Sequence, residues 1–141
     1  MNITWKKLTP NLMVEDVRKA VQFYTNTLGF ALRMAVEKGT NEIVETLDEA
    51  GDYVYALVSS NGVEIMFQEK ESLLEDLPGI ETSKIGGSVS FYFEVEHVDD
   101  MYEALKKKVD IVKELATTWY GMREFYIRDC NGYILGFAEQ T

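Results

Sequence analysis

Apolar and polar residues follow an order along the chain that occurs twice. In the first half, a strand pattern from Trp5 to Val14 precedes apolar residues at helical spacing, with Asp16 as the predicted helix N-cap and Gly29 as the stop. Three strand patterns follow, at residues 30–37, 53–59 and 63–69. The first half is therefore predicted to form a βαβββ module.

The second half repeats this order. A strand is predicted at residues 88–95 and a helix at about residues 99–107. Three further strands are predicted at residues 110–116, 122–128 and 133–139. In both halves an Asn-Gly pair, which is typical of tight hairpin turns, precedes the last strand. We expect eight strands and two main helices in a duplicated module.

The two modules are predicted to belong to a single domain, residues 1–141. A chain of 141 residues can bury an adequate core without disulfides. The acidic segment at residues 71–76 leads to Pro78-Gly79 and Gly86-Gly87, which indicate a linker. The modules then span about residues 5–77 and 86–141. The expected fold class is α+β, with duplicated βαβββ modules that form a curved mixed sheet and helices on its convex face.

Strand alternation predicts which side chains share a face of the sheet. Leu12, Phe91 and Phe93 are expected to lie beneath the helices. The opposite, concave face receives polar and aromatic side chains from the first and last strands of each module. It includes Asn11, Met13, Glu64, Met66, Gln68, Ser90, Tyr92, Glu94, Gly136 and Ala138.

The charge balance of the chain restricts its partners. The 24 acidic and 14 basic side chains give a formal charge of −10, which disfavours binding to the phosphate backbone of nucleic acids. No apolar run approaches the roughly 20 residues that span a bilayer, and no apolar signal segment follows the N-terminus. The single Cys130 cannot form an internal disulfide, in agreement with a reducing compartment. We expect a cytoplasmic protein that binds neither nucleic acid nor membrane.

The stretch from Trp119 to Gly132 carries a sequence motif. It reads W-Y-G-M-R-E-F-Y-I-R-D-C-N-G and resembles the W-G-R-E-F-x-x-R-D-P-x-G stretch of bleomycin resistance proteins, with one extra residue on either side of Gly121. Cys130 stands where those proteins usually have proline. The chain thus resembles the vicinal oxygen chelate superfamily, which includes glyoxalase I, extradiol dioxygenases, metal-dependent thiol transferases and bleomycin resistance proteins. The resemblance is closest to the bleomycin resistance branch.

The metal-dependent members of this superfamily place ligands at defined positions. A His or Gln lies five residues before the valine that closes the first strand of each module, and a Glu lies four residues after the glycine of each final hairpin. The matching residues here are Thr9, Ser90, Met66 and Gly136, none of which supplies an imidazole or a carboxylate. Glu64 is the nearest carboxylate. The comparison therefore predicts a protein with no metal ligands and no cofactor.

The predicted site combines aromatic and carboxylate side chains. Such a combination suits planar or cationic organic ligands, through stacking and cation–π attraction. The predicted ligand-binding residues are Asn11, Glu64, Met66, Tyr92, Glu94, Trp119, Tyr120 and Tyr126. No catalytic residue is predicted. Ion pairs that shape the strand and its turn are expected from Arg123, Glu124, Arg128 and Asp129.

Functions from different classes fit the sequence. The first is a metal-free, non-catalytic binding protein of the bleomycin-resistance type, which the resemblance implies is a homodimer with ligand grooves between subunits. Its ligand would be a small organic molecule, cationic or aromatic, such as an antibiotic of the bleomycin kind. The alternative is a metal-dependent glyoxalase-like lyase or isomerase, or a dioxygenase, which would need Glu64 as a ligand or general base. A role limited to protein association also fits.

Overall fold

The computed structural model describes residues 1–77, 79–80 and 85–141. The chain divides into two units, Met1–Ile80 and Glu81–Thr141, which we call unit 1 and unit 2. Within these described ranges, each unit contains one mixed sheet, of five strands in unit 1 and of four strands in unit 2. The predicted α+β class is confirmed. None of the described helices is long and apolar enough to cross a membrane.

The described part of unit 1 forms five strands and two α-helices. In chain order they are β1 (Asn11–Val14), α1 (Val17–Gln22), β2 (Ala31–Glu37), β3 (Ile43–Val44), β4 (Tyr53–Ser60), β5 (Val63–Glu69) and α2 (Lys70–Asp76). The strands lie in the order β1-β5-β4-β2-β3. β1 runs parallel to β5, and all other neighbours are antiparallel.

Helix α1 begins where the sequence predicts it. Asp16 has extended backbone angles, and its carboxylate accepts a hydrogen bond of 3.2 Å from the backbone N–H three residues later, as an N-cap does. A π-helical turn at Phe23–Thr27 continues the helix, and Gly29 follows with φ at 77°. The buried Tyr24 ring lies 4.8 Å from the Phe67 ring, between centroids, which holds this part of the helix against β5.

The hairpin between β4 and β5 turns at Asn61-Gly62. Both residues have positive φ, at 48° and 84°, as a type I′ turn requires. On the other edge of β5, the register places Asn11 of β1 opposite Met66. Alternation along β5 then puts Glu64 and Gln68 on the same face as Met66.

The described residues of unit 2 form four strands and one α-helix. In chain order they are β6 (Ser90–Glu94), α3 (Val98–Leu105), β7 (Asp110–Thr117), β8 (Met122–Arg128) and β9 (Ile134–Gln140). The strands lie in the order β6-β9-β8-β7, with β6 parallel to β9 and the other pairs antiparallel. One face of the sheet packs against α3, where the Tyr102 and Phe125 rings meet at 5.1 Å between centroids.

The start of α3 is capped by a side chain from β9. Glu139 accepts hydrogen bonds from the backbone N–H of Val98 at 3.1 Å and of His97 at 2.9 Å. The bond from Val98, and after it the bond from His97, lowers the pKa of the Glu139 carboxyl. His97, the only histidine, is exposed at the N-cap position with φ at 57°.

This cap makes the stability of the protein depend on pH. The pKa of Glu139 is lower in the folded state than in the unfolded chain. The cap therefore stabilises the protein fully when the pH is above the pKa of the unfolded chain, and this stabilisation is lost as the pH falls through the pKa of the folded state. We expect Glu139→Gln to lower the melting temperature by a few degrees at pH 7 and much less at about pH 3. Thermal unfolding across this range checks the prediction, with the exposed Glu96→Gln as control. A loss for Glu139→Gln that is independent of pH would contradict it.

The beginning of unit 1 differs from the sequence prediction. The predicted strand from Trp5 is wrong over its first part, because residues 1–10 form no strand and β1 begins at Asn11. Pro10 explains the boundary, since it has no N–H to donate to a neighbouring strand. The observed β3 consists of two residues, which is too short to produce a strand pattern.

The end of unit 1 also differs from the prediction. Residues 71–76, predicted only as an acidic segment that leads to the linker, belong to α2, and Leu73 of this helix is buried. The segment is acidic and short, so its single buried position gives no helical period in the sequence. Within the predicted linker, Pro78 lies outside the described residues.

Candidate functional site

A buried carboxylate lies on the face of the unit 2 sheet that is turned away from α3. Glu124, on β8, is only 2% exposed. Its neighbour Phe125 points towards Tyr102 of α3, and successive side chains of a strand point to opposite faces. The register places Ala138 of β9 beside Glu124, and Glu94 of β6 beside Ala138.

Two tyrosine hydroxyls donate hydrogen bonds to Glu124. Tyr92, on β6, donates to Oε2, and Tyr120, in the hairpin between β7 and β8, donates to Oε1. Desolvation is the largest cause that raises the pKa of Tyr92, followed by its bond to Glu124. The bond to Glu124 is the largest cause that raises the pKa of Tyr120. Both hydroxyls therefore remain protonated donors at neutral pH.

The aromatic rings around this carboxylate remain accessible. Tyr92 is 50% exposed and Tyr120 is 49% exposed. The Tyr126 ring lies 6.4 Å from the Tyr92 ring, and the Trp119 ring lies edge-on at 5.2 Å from the Tyr120 ring, between centroids. Trp119 stands almost fully exposed at the hairpin tip. We call this group, formed by Glu124, Tyr92, Trp119, Tyr120 and Tyr126, the Glu124 centre.

Among the described residues of unit 2, no basic side chain neutralises the charge of Glu124. No lysine or arginine in the described part of this unit forms an ion pair with it, and the adjacent Arg123 pairs instead with Asp99 through two bonds of 3.2 Å. Burial of an ionised carboxylate costs free energy unless a cation or hydrogen bonds compensate for it. Two hydroxyl donors offset part of this cost. A cationic group brought by a ligand would complete the compensation.

Gly136 determines where the Tyr126 ring lies. The register places Gly136 between Tyr126 on β8 and Tyr92 on β6. A Cβ atom added at Gly136 would lie 2.5 Å from Cε2 of Tyr126, so the ring lies directly over the glycine. Burial is the main cause that raises the pKa of Tyr126, followed by the charge of Glu124. Any side chain at this position would force the Tyr126 ring to move.

Unit 1 carries a second polar group on one face of its sheet. Asn11 Nδ2 donates to Gln68 Oε1 at 3.0 Å. Gln68 Nε2 in turn donates to Ser72 Oγ at 2.9 Å and to Asp76 Oδ2 at 2.7 Å. Asn11 Oδ1 is buried and has no donor among the described residues. An acceptor left in this state costs about 1–3 kcal/mol of stability.

Glu64 lies on the same face of unit 1 and already has a cationic partner. Its Oε1 contacts Nζ of Lys7, which belongs to the segment before β1. The two side chains are 27% and 56% exposed, so solvent screens much of their attraction. The pKa of Tyr55 is raised by burial and, to a smaller degree, by the charge of Glu64. The residue closest to Asn11 in register is the half-buried Met66.

The predicted ligand-binding residues therefore fall into two groups. Unit 2 brings together Tyr92, Trp119, Tyr120 and Tyr126. Unit 1 places Asn11, Glu64 and Met66 on one face of its sheet. Glu94 ends β6 on the same face as Tyr92, but it is exposed and is not part of the Glu124 centre.

Residues 8–137 match the sequence model of the Glyoxalase/Bleomycin resistance protein/Dioxygenase superfamily. The chain belongs to this superfamily. No curated protein matches the chain at a significant level. The family membership agrees with the two mixed sheets, each with a parallel pair between its first and last long strands.

Several solved structures share the fold of this superfamily member over nearly its whole length. TioX from Micromonospora sp. ML1 is 19% identical, with a TM-score of 0.68, and the match covers 97% of this chain and 100% of TioX. A bleomycin-binding protein from Streptomyces verticillus, complexed with copper(II)-bleomycin, is 19% identical, with a TM-score of 0.63 and coverage of 99% and 100%. A glyoxalase/bleomycin resistance protein/dioxygenase from Nocardioides is 17% identical, with a TM-score of 0.72 and coverage of 99% and 86%. At these identities the likeness concerns the fold.

The residues at the superfamily's metal positions do not fit a divalent metal. Thr9, Met66 and Ser90 offer no imidazole or carboxylate, and Gly136 offers no side chain. The Tyr126 ring lies over Gly136, in the space that a ligating carboxylate would need. No three His, Cys, Asp or Glu side chains in the described parts of the chain gather into a metal-binding group.

Sequence reasoning missed the residue at the centre of the unit 2 group. Glu124 is predicted to form a shape-determining ion pair, and this is wrong, because its partners are tyrosine hydroxyls. The predicted pairs do form at Arg123, with Asp99, and at Arg128, with Asp110 at 4.0 Å. Asp129 accepts hydrogen bonds from backbone N–H groups of its own turn. Alternation could have placed Glu124 beside Tyr126, since both point to one face of β8.

Proposed function

We propose that the protein binds a small organic ligand with a planar, cationic group at the Glu124 centre, without a metal and without catalysing a reaction. The observation that carries this proposal is the buried Glu124 carboxylate, which lacks a basic partner in the described part of unit 2 and is flanked by the accessible rings of Tyr92 and Tyr120. A cation over an aromatic face gains about 0.5–2 kcal/mol. A hydrogen bond to an ionised carboxylate adds about 1.5–3 kcal/mol.

The net charge of the chain supports a cationic ligand. A formal charge of −10 produces a negative potential that attracts cations and repels anions. The field acts over the surface, whereas the Glu124 centre offers the local contacts. Both contributions favour the same sign of ligand charge.

Bleomycin is one candidate ligand. The support is the fold shared with the bleomycin-binding protein from Streptomyces verticillus and the motif from Trp119 to Gly132. Sequestration of such an antibiotic would give resistance without turnover. We also propose a cytoplasmic homodimer with ligand grooves between its subunits, on the basis of the same resemblance.

The alternative function, a metal-dependent lyase, isomerase or dioxygenase, has less support. It depends on Glu64 as a metal ligand or general base, and the Lys7 ammonium group contacts that carboxylate. The matching positions for further ligands carry a hydroxyl, a thioether or a hydrogen atom. These residue types supply neither the metal shell nor a second acid–base group.

Native mass spectrometry with metal-free bleomycin tests the proposal in one experiment. We expect a species of twice the chain mass that carries bleomycin, with binding that weakens as salt increases because the attraction is partly electrostatic. A spectrum that shows no bleomycin adduct and no co-purified organic molecule, at any protein concentration, would contradict the binding proposal. A monomer with bleomycin bound would contradict only the groove between subunits.

A further inference from the structure

We propose that unit 1 offers a ligand contact of its own, in which Asn11 Oδ1 accepts a hydrogen bond from an N–H donor of a small organic molecule, and that Asp76 fixes the polarity of this contact through Gln68. This inference rests on the proposed ligand-binding function and extends it to unit 1. It assigns Gln68 and Asp76 as positioning residues, which act on the ligand only through Asn11.

The direction of the hydrogen bonds follows from the carboxylate at one end. An ionised carboxylate only accepts hydrogen bonds, so Asp76 Oδ2 at 2.7 Å requires the amide nitrogen of Gln68 on its side. The Gln68 oxygen is then turned to Asn11 and requires the Asn11 nitrogen as its donor, at 3.0 Å. The Asn11 oxygen is left as the last acceptor in this series of hydrogen bonds. Its polarity is therefore set by Asp76.

The Asn11 oxygen, at the free end of this series of hydrogen bonds, lacks a donor among the described residues. Asn11 Oδ1 is buried without a hydrogen-bond partner in the described residues, although the Asn11 side chain as a whole is only half-buried. A ligand N–H group that reaches this oxygen would supply the missing donor. The matching ligand group is an amide, amine or amidinium N–H. A carbonyl or ether group would face another acceptor and be rejected.

The donor-to-acceptor direction of the hydrogen bonds that join Asn11, Gln68 and Asp76 can be tested without any ligand, by substitutions that reverse it. In Asn11→Asp, a carboxylate stands on each side of Gln68, at positions 11 and 76, and the Gln68 amide nitrogen can face only one of them. The other carboxylate then faces the Gln68 oxygen, and we expect the melting temperature to fall by roughly 3–6 °C. Adding Asp76→Asn supplies a donor at the other end, which allows Gln68 to turn over and donate to Asp at position 11. We expect the double variant to regain most of the loss. Equal losses that simply add would overturn the assigned direction.

Ligand polarity is tested with two planar probes of similar size. Benzamidine only donates hydrogen bonds, and pyridine N-oxide only accepts them. In side-chain amide NMR spectra of the wild-type protein, we expect benzamidine to shift the Asn11 signal and pyridine N-oxide to leave it unchanged. In Asp76→Asn, the direction of the hydrogen bonds can reverse. In this variant we expect benzamidine to bind about tenfold more weakly at Asn11 and pyridine N-oxide to shift the Asn11 signal. The same response in both proteins, or no shift of the Asn11 signal with either probe, would overturn the proposal.

The two proposals fail in different ways. If the Glu124 centre does not bind cations, benzamidine leaves the Tyr92 and Tyr120 signals of unit 2 unchanged, whatever happens at Asn11. If only the unit 1 inference is wrong, those ring signals still shift while the Asn11 signal stays in place. Signals from separate residues in one titration therefore distinguish the outcomes.

Discussion

Replacement of Gly136 by alanine is expected to lower the free energy of unfolding by about 1–3 kcal/mol, the range for overpacking a well-filled site. The added Cβ would lie 2.5 Å from Cε2 and 2.9 Å from Cδ2 of Tyr126, closer than carbon atoms can approach. The ring must move away from the sheet, which also breaks its packing against Tyr92 at 6.4 Å. Chemical denaturation of the variant and the wild type measures the change.

The Tyr126→Ala variant, which lacks the ring, provides the matched control for Gly136→Ala. In Tyr126→Ala the three atoms nearest to the added methyl group, all in the Tyr126 ring, are gone. We expect Gly136→Ala to cost little in this background, and the double-mutant cycle to show coupling of about 1 kcal/mol or more. If Gly136→Ala is equally destabilising with and without the ring, the Tyr126 contact is not the cause of its effect.

Glu124→Gln is expected to weaken the binding of planar cations by roughly 10- to 100-fold, because the substitution removes the charge that strengthens the hydrogen bond to the ligand. Glutamine keeps the length of the side chain and can still pair with both tyrosine hydroxyls, as acceptor to one and donor to the other. The fold should therefore be retained. Isothermal titration with benzamidine measures the loss of affinity.

Two further observations separate a local effect of Glu124 from a general effect of net charge. Glu114→Gln removes the same charge from an exposed position on β7, and we expect it to change the affinity less than twofold, given screening by salt. An ultraviolet absorbance titration should show a lower pKa for Tyr92 in Glu124→Gln, since the carboxylate no longer disfavours its ionisation. Equal losses of affinity in the two variants would contradict the assigned role of Glu124.

The elements of the fold that depend on local signals can be predicted from the sequence. Asp16 caps α1 because its side chain accepts a hydrogen bond from the first turn, and this needs no tertiary information. Asn61-Gly62 forms a tight hairpin because both residues tolerate positive φ. The predicted bounds of β8 and the predicted start of β5 agree with the structure for a related reason, since turn residues define them.

The features that depend on cross-strand register are not visible in the sequence. Glu124 lies 32 residues from Tyr92, and only the pairing of β6 with β9 and of β9 with β8 brings them together. Gln68 and Asp76 meet because α2 follows β5 directly, and α2 itself has too few apolar positions to be recognised. Predicting these contacts requires the register of each strand pair. An error of one residue in that register would place every side chain of the strand on the opposite face.

The most direct test of the central claim compares benzamidine with benzamide, a neutral molecule of almost the same shape, in an NMR titration of the wild-type protein. The claim is that Glu124 and the surrounding tyrosines bind a planar cation. We predict that benzamidine shifts the ring signals of Tyr92, Tyr120 and Tyr126, that the shifts diminish with added salt, and that benzamide leaves these signals nearly unchanged. Equal responses to the two molecules, or a benzamidine response confined to residues outside the Glu124 centre, would contradict the claim.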